Sequence, residues 1–165
     1  MLLSGETTRL LILDKIKLNP GIHFRELQRS VSCATGQLQY HLYRMETSGD
    51  IYSRKDGRTV RYFPSSGPSF REREIIYSLR SRERSRIIFL LLDRKSLPKD
   101  IVLKVRKSRA EECREALGEL MKAGIVEEKD GIISLVNSGE IISVLKTYRE
   151  SFIDSITANL ISLLE

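Results

Sequence analysis

A chain of 165 residues has room for one ordinary domain or two small ones, each able to bury only a modest core of its own. The net charge of +6 and the pI near 9.4 suit a polyanionic partner. No apolar run approaches the roughly 20 residues of a membrane span, since Ile87 to Leu92 is a short core-type run flanked by charge. The start, Met1-Leu2-Leu3-Ser4-Gly5, lacks the form of a signal peptide, so a cytoplasmic location is expected. Two cysteines, Cys33 and Cys113, show neither CxxC nor Cys-x-His spacing, which argues against a structural zinc and for reduced thiols. The charge is unevenly spread. Residues 1–68 carry 10 Lys or Arg against 6 acids, residues 69–109 carry 13 against 5, and residues 110–165 carry 5 against 11. An anion is therefore expected at the first two thirds of the chain and not at the last.

A first helix is expected from about Thr7 to Lys17, with Leu10, Leu11, Leu13 and Ile16 at apolar positions and Asn19-Pro20-Gly21 stopping it. Ile22 supplies a short strand. Phe24, Leu27 and Val31 then fall at helical spacing until Ser32-Cys33-Ala34 interrupts, and His23 opens that helix as a capping or core residue. Thr35, a good N-cap type, begins a further helix with Leu38, Leu42 and Met45 on one face. A short helix, a tight turn and a second helix form a helix-turn-helix, whose second helix lies in the major groove of DNA. The residues of that helix assigned to the groove are Thr35, Gln37, Gln39, Tyr40, His41 and Arg44. Gln can bond adenine through both ends of its amide and Arg can fork onto guanine, and no acid precedes Glu46 within that helix. For Tyr40 two uses stay open, a DNA contact or cover for the junction between helix and hairpin. His41, next to the core residue Leu42, is read as able to reach a phosphate.

After Gly49 the period changes. Ile51 to Arg54 and Thr59 to Phe63 are β-rich runs joined by Lys55-Asp56-Gly57-Arg58, a strong hairpin signal. This hairpin is the wing of a winged helix-turn-helix, with Arg54, Lys55, Arg58 and Arg61 as cations for phosphate or the neighbouring minor groove.

The strings NPGIHFRELQR and TGQLQYHLYRME, with a DGR wing ending in RYFP, resemble the archaeal winged helix-turn-helix regulators, particularly those with two such domains in one chain. The resemblance is strong over residues 7–64 and weaker beyond. It implies DNA-binding transcriptional regulation, with the helix from Thr35 as recognition helix.

Pro64-Ser65-Ser66-Gly67-Pro68-Ser69 reads as a linker. Beyond it, Phe70 opens a helix with Ile75, Ile76 and Leu79 inward, and a helix from Ser85 to Asp93 follows. Leu97 to Leu103 reads as the next helix, Ser108 caps another that carries Cys113, Leu117 and Leu120, and Ile125 to Leu135 forms a hairpin. That order repeats the first module. The equivalent recognition helix, however, bears Glu111, Glu112, Glu115 and Glu119, which repel phosphate, so this module is expected to orient the first or to bind protein. Lys104, Arg106, Lys107 and Arg109 are either an auxiliary phosphate patch or a solvated basic face. Residues 138–165 read as one long amphipathic helix with allowance for a break, its stripe running through Ile141, Leu145, Tyr148, Phe152, Ile156, Leu160 and Leu163. The stripe fits a dimer interface or packing against the Phe70 helix within one chain.

The expected fold is thus mainly α with small β-hairpin wings (α+β): two winged helix-turn-helix modules, residues 1–66 and 67–137, and a C-terminal helix, 138–165. No cofactor, metal or catalytic constellation is expected, since His23 and His41 lack a plausible nucleophile and base and no phosphate-binding glycine loop occurs. The expected partners are double-stranded DNA and a second copy through the C-terminal helix, with transcription machinery a further possibility and membranes excluded. A winged-helix protein adaptor and a non-specific DNA architectural protein are the alternatives.

Overall fold

Ile12 and Ile16 on the first helix, Leu27 and Val31 on the second, and Leu38, Leu42 and Met45 on the third bury one helical face each, and together with Ile22 and Ile51 they make one core. The computed structural model describes residues 5–104 and 110–164, apart from the side chains of 154, 155, 158–160 and 162–164. The expected roles of Arg106, Lys107, Ser108 and Arg109, and of Leu160 and Leu163, lie outside the described residues. The chain divides into two units, Met1–Ser69 and Phe70–Glu165.

In the first unit the order is α1 (Gly5–Leu18), β1 (Ile22–His23), α2 (Phe24–Val31), α3 (Thr35–Thr47), β2 (Ile51–Asp56) and β3 (Thr59–Pro64). The three strands form an antiparallel sheet in the order β1-β3-β2. Gly21, at φ +78°, lets the chain leave α1 and enter β1 directly after Pro20. His23 caps α2: its Nδ1 accepts from the Glu26 backbone N–H at 3.4 Å. Arg9 of α1 donates to Asp50 and, at 3.1 Å, to Ser48, which pins α1 to the turn between α3 and β2.

The second unit runs α4 (Phe70–Arg80), α5 (Arg82–Arg94), β4 (Ser96–Pro98), α6 (Lys99–Lys104), α7 (Ala110–Lys122), β5 (Val126–Lys129), β6 (Ile132–Leu135), α8 (Ser138–Thr147) and α9 (Arg149–Leu164). Its strands order β4-β6-β5. One expectation is corrected. Leu97 to Leu103 is not one helix: Ser96 to Pro98 pairs with β6, Leu97 opposite Ile133, and only from Lys99 does the chain coil. The C-terminal segment takes the break allowed for it: Tyr148 leaves the helical region at φ −110°, ψ 32° and divides it into two helices. Within this unit α8 packs on α4 and α9 on α5. Ile141, Val144 and Phe152 are buried there, and Arg80 lies over the Phe152 ring at 4.4 Å while bonding Ser151. Arg84 of α5 is buried, donates to Glu119 of α7 and stands over the Tyr77 ring at 4.3 Å. No described helix is long and apolar enough to cross a membrane.

Candidate nucleic-acid interface

The turn before α3 is held by a side chain. Ser32 ends α2 in the left-handed region at φ 51°, and Gln28 reaches over the turn to donate to Thr35 Oγ1 at 2.8 Å and to the Cys33 carbonyl at 3.3 Å. Thr35 is therefore the first helical residue and an acceptor for Gln28. The N-cap position falls to Ala34, which offers no side-chain bond, a correction to the expected cap. Cys33 is half-buried, and burial pushes its thiol up, away from the reactive thiolate.

Helical spacing then sorts the side chains of α3. Leu38, His41, Leu42 and Met45 stand at steps of three and four and are buried. His41 is only 7% exposed, so its expected place on the groove face is corrected: it belongs to the core stripe, and the Tyr40 ring packs edge-on to it with centroids 5.6 Å apart. Thr35, Gln37, Gln39, Tyr40 and Arg44 are exposed. Tyr40 is 60% exposed and so is not core. Tyr43, at 67%, stands on the same outer side and escaped the sequence reading, although it lies three residues beyond Tyr40 and off the apolar stripe. No acid is exposed on α3 before Glu46.

The hairpin runs to Asp56 and resumes at Thr59, so the central pair is Gly57-Arg58 and not Asp56-Gly57. Gly57 has φ +58°, the first-position requirement of the type II′ family. On one face of the wing Tyr52 stacks on Phe63 at 5.3 Å, and Arg54 faces Arg61. Two like charges directly opposite are unfavourable. Asp56 relieves them by accepting from Arg61 Nε at 2.6 Å, and Arg61 also donates to the Gly21 carbonyl at 3.2 Å. Both side chains of that pair are largely buried, 11% exposed for Arg61 and 14% for Asp56. Arg61 thus ties the wing to β1, which corrects its expected place among the outward cations. Lys55 and Arg58 are exposed and Arg54 is half-buried.

Arg25 and Arg29, one turn apart on the outer side of α2, are exposed cations that sequence reasoning missed. The signal was available: they flank the buried Leu27 and lie off the apolar positions of that helix. On α7 of the second unit, Glu111, Glu112 and Glu115 are exposed, and Lys104 is paired with Asp100 at 3.0 Å.

Residues 6–76 match the family model described as an N-terminal HTH domain. Over 145 residues the chain is also 30% identical to a protein of Methanocaldococcus jannaschii named the uncharacterized HTH-type transcriptional regulator MJ1398. That similarity covers 86% of this chain and 35% of the relative, so the chain spans about a third of the relative's length. The α1–α3 geometry, the hairpin after it and the match over residues 6–76 together make the first unit similar to the N-terminal HTH domain family.

Proposed function

We propose that this chain is a sequence-specific, DNA-binding transcription regulator that reads the major groove with α3. One observation carries the reading: α3 exposes Gln37, Gln39, Tyr40, Tyr43 and Arg44 with no exposed acid before Glu46, beside a hairpin whose tip bears Lys55 and Arg58. Gln37 and Arg44 read base edges, and Thr35, Gln39 and Tyr40 support that face through base, sugar or phosphate contacts. Arg58, Lys55 and Arg54 meet phosphates or the minor groove from the wing.

The second unit is read as a second winged-helix module, supported by the shared sequence of elements and by the sheet order β4-β6-β5, which repeats β1-β3-β2. Its α7 does not enter DNA, because Glu111, Glu112 and Glu115 would meet phosphates. It orients the first module or docks transcription machinery. A homodimer through α9 is the proposed way to space two reading heads about one helical turn of DNA apart. Ile153 and Ile161 remain exposed on α9 at a spacing of eight residues, which supports a partner on that face.

The test is fluorescence anisotropy with labelled duplexes over a range of salt. Gln37→Ala and Arg44→Ala are expected to cost about 1–3 kcal/mol on the preferred site and little on unrelated duplexes. Equal losses on every duplex would remove both residues from base readout.

A further inference from the structure

Strand β1 is only two residues long and pairs with Tyr62 and Arg61; the chain then turns into α2 at Phe24. Beyond Arg61 the edge of β3 that faces β1 therefore has no strand partner at Val60 and Thr59, while its other edge stays paired with β2. The gap is a concavity of about 550 Å³, with residues 23–25 on one wall and residues 58–60 with Tyr62 on the other. That volume falls in the range of small-molecule sites.

Its chemistry is two-sided. Phe24, Val60 and the Tyr62 ring supply an apolar floor, whereas Arg25 and Arg58 supply two guanidinium groups. Both arginines are exposed, and neither has an ion-pair or hydrogen-bond partner among the described residues. No carboxylate lines the concavity. The nearest acid in sequence, Glu26, turns its carboxylate toward His23 Nε2 at 3.9 Å. Burial pushes the Tyr62 phenol up, so its hydroxyl stays a donor at neutral pH. A bare phosphate would use the arginines and leave the apolar floor wet; a neutral ring would do the reverse.

We propose that this concavity binds a small aromatic carboxylate, with the carboxylate held by Arg25 and Arg58 and the ring set on Phe24 and Val60. Fork-to-carboxylate pairing is the strong, geometrically specific mode for arginine. Arg58 is also the wing-tip cation assigned to phosphate, so an occupied concavity competes with DNA. That consequence rests on the proposed function, but binding of the carboxylate does not.

The experiment is a titration of the ¹⁵N-labelled full chain, followed by amide chemical shifts, with 1-naphthoate, 1-naphthamide and inorganic phosphate. The expected result is saturable shifts for naphthoate at residues 23–25 and 58–62. Arg25→Ala is expected to weaken naphthoate roughly tenfold, as loss of one charge-assisted bond should, and Arg25→Lys to restore part of the loss. Naphthamide or phosphate binding as tightly as naphthoate overturns the proposal, as does the absence of saturable shifts at these amides up to the solubility limit of naphthoate. Naphthoate should also displace duplex DNA from the wild type and do so less from Arg25→Ala. A chain that binds DNA but not naphthoate refutes the carboxylate site alone. One that binds naphthoate but no DNA refutes the regulator alone.

Discussion

Two arginines three residues apart on the same wing are expected to behave in opposite ways. Arg61→Ala removes the 2.6 Å bond to Asp56 and the 3.2 Å bond to the Gly21 carbonyl, and it takes the guanidinium away from a carboxylate that is 14% exposed. Breaking a buried ion pair from one side costs about 3–5 kcal/mol. A two-stranded wing can open enough to hydrate Asp56, so about 2–3 kcal/mol is the expected loss once that relief is counted. For a unit of this size the loss corresponds to a fall of roughly 10–20 °C in Tm. Arg58→Ala removes no internal bond and should change stability by no more than about 0.5 kcal/mol. Its effect should fall on DNA, where the slope of log K against log salt drops by about one. The assay pairs urea denaturation, followed by circular dichroism, with anisotropy titrations at several salt concentrations. Hydrogen exchange at Ile22, His23 and their partners on β3 reports whether the wing has come loose from β1. An Arg61→Ala chain of unchanged stability, with a salt slope lowered as in Arg58→Ala, would refute the division of roles.

Other consequences follow from the same contacts. His41→Ala should cost about 1–3 kcal/mol of stability as a core truncation and leave the salt slope unchanged; a lowered slope at native stability would return His41 to the interface. Ser48 and then Arg9 hold the Asp50 carboxyl below its usual range. A carboxylate whose folded pKa is depressed contributes stability that is present above its unfolded value, about 3.9, and is lost as pH falls through the folded one. Both side chains are more than a third exposed, so Asp50→Asn should cost under about 1 kcal/mol at pH 7 and nothing near pH 2; an equal effect at both pH values in urea melts would contradict this. Arg84→Ala should destabilise the second unit by about 2–4 kcal/mol, since it loses Glu119, the Tyr77 carbonyl and the Tyr77 ring together. Glu119→Gln, which keeps a solvated acceptor, should cost under about 1 kcal/mol. A similar loss for the two variants would mean that the stabilisation lies in the charge pair alone.

The sequence made the first unit legible where periodicity and turn chemistry agreed. Leu27 and Val31, then Leu38, Leu42 and Met45, marked two buried faces, and Gly57 between β-rich runs marked a hairpin. It was less legible where a local signal competed with a distant partner. Thr35 looks like a cap until Gln28 claims its hydroxyl, and Arg61 looks like a free cation until the register brings Asp56 and the Gly21 carbonyl beside it. His41 is polar, yet its spacing from Leu38 and Met45 puts it on the buried face of α3. Pairing of Ser96 to Pro98 with β6 spans more than thirty residues, and no local pattern announces it. On α8 and α9, an apolar stripe alone could not distinguish α4 and α5 from a second copy; the structure uses Ile141, Val144 and Phe152 within the unit.

Selection of bound sequences from a random duplex pool asks whether α3 reads base sequence in duplex DNA. The full chain should enrich a defined motif, two half-sites about 10 base pairs apart if the dimer holds. Arg44→Ala should relax the preference at one position of each half-site while the Arg58→Ala motif stays that of the wild type. Retention of the pool without any enriched sequence, or no binding even at low salt, would contradict the account.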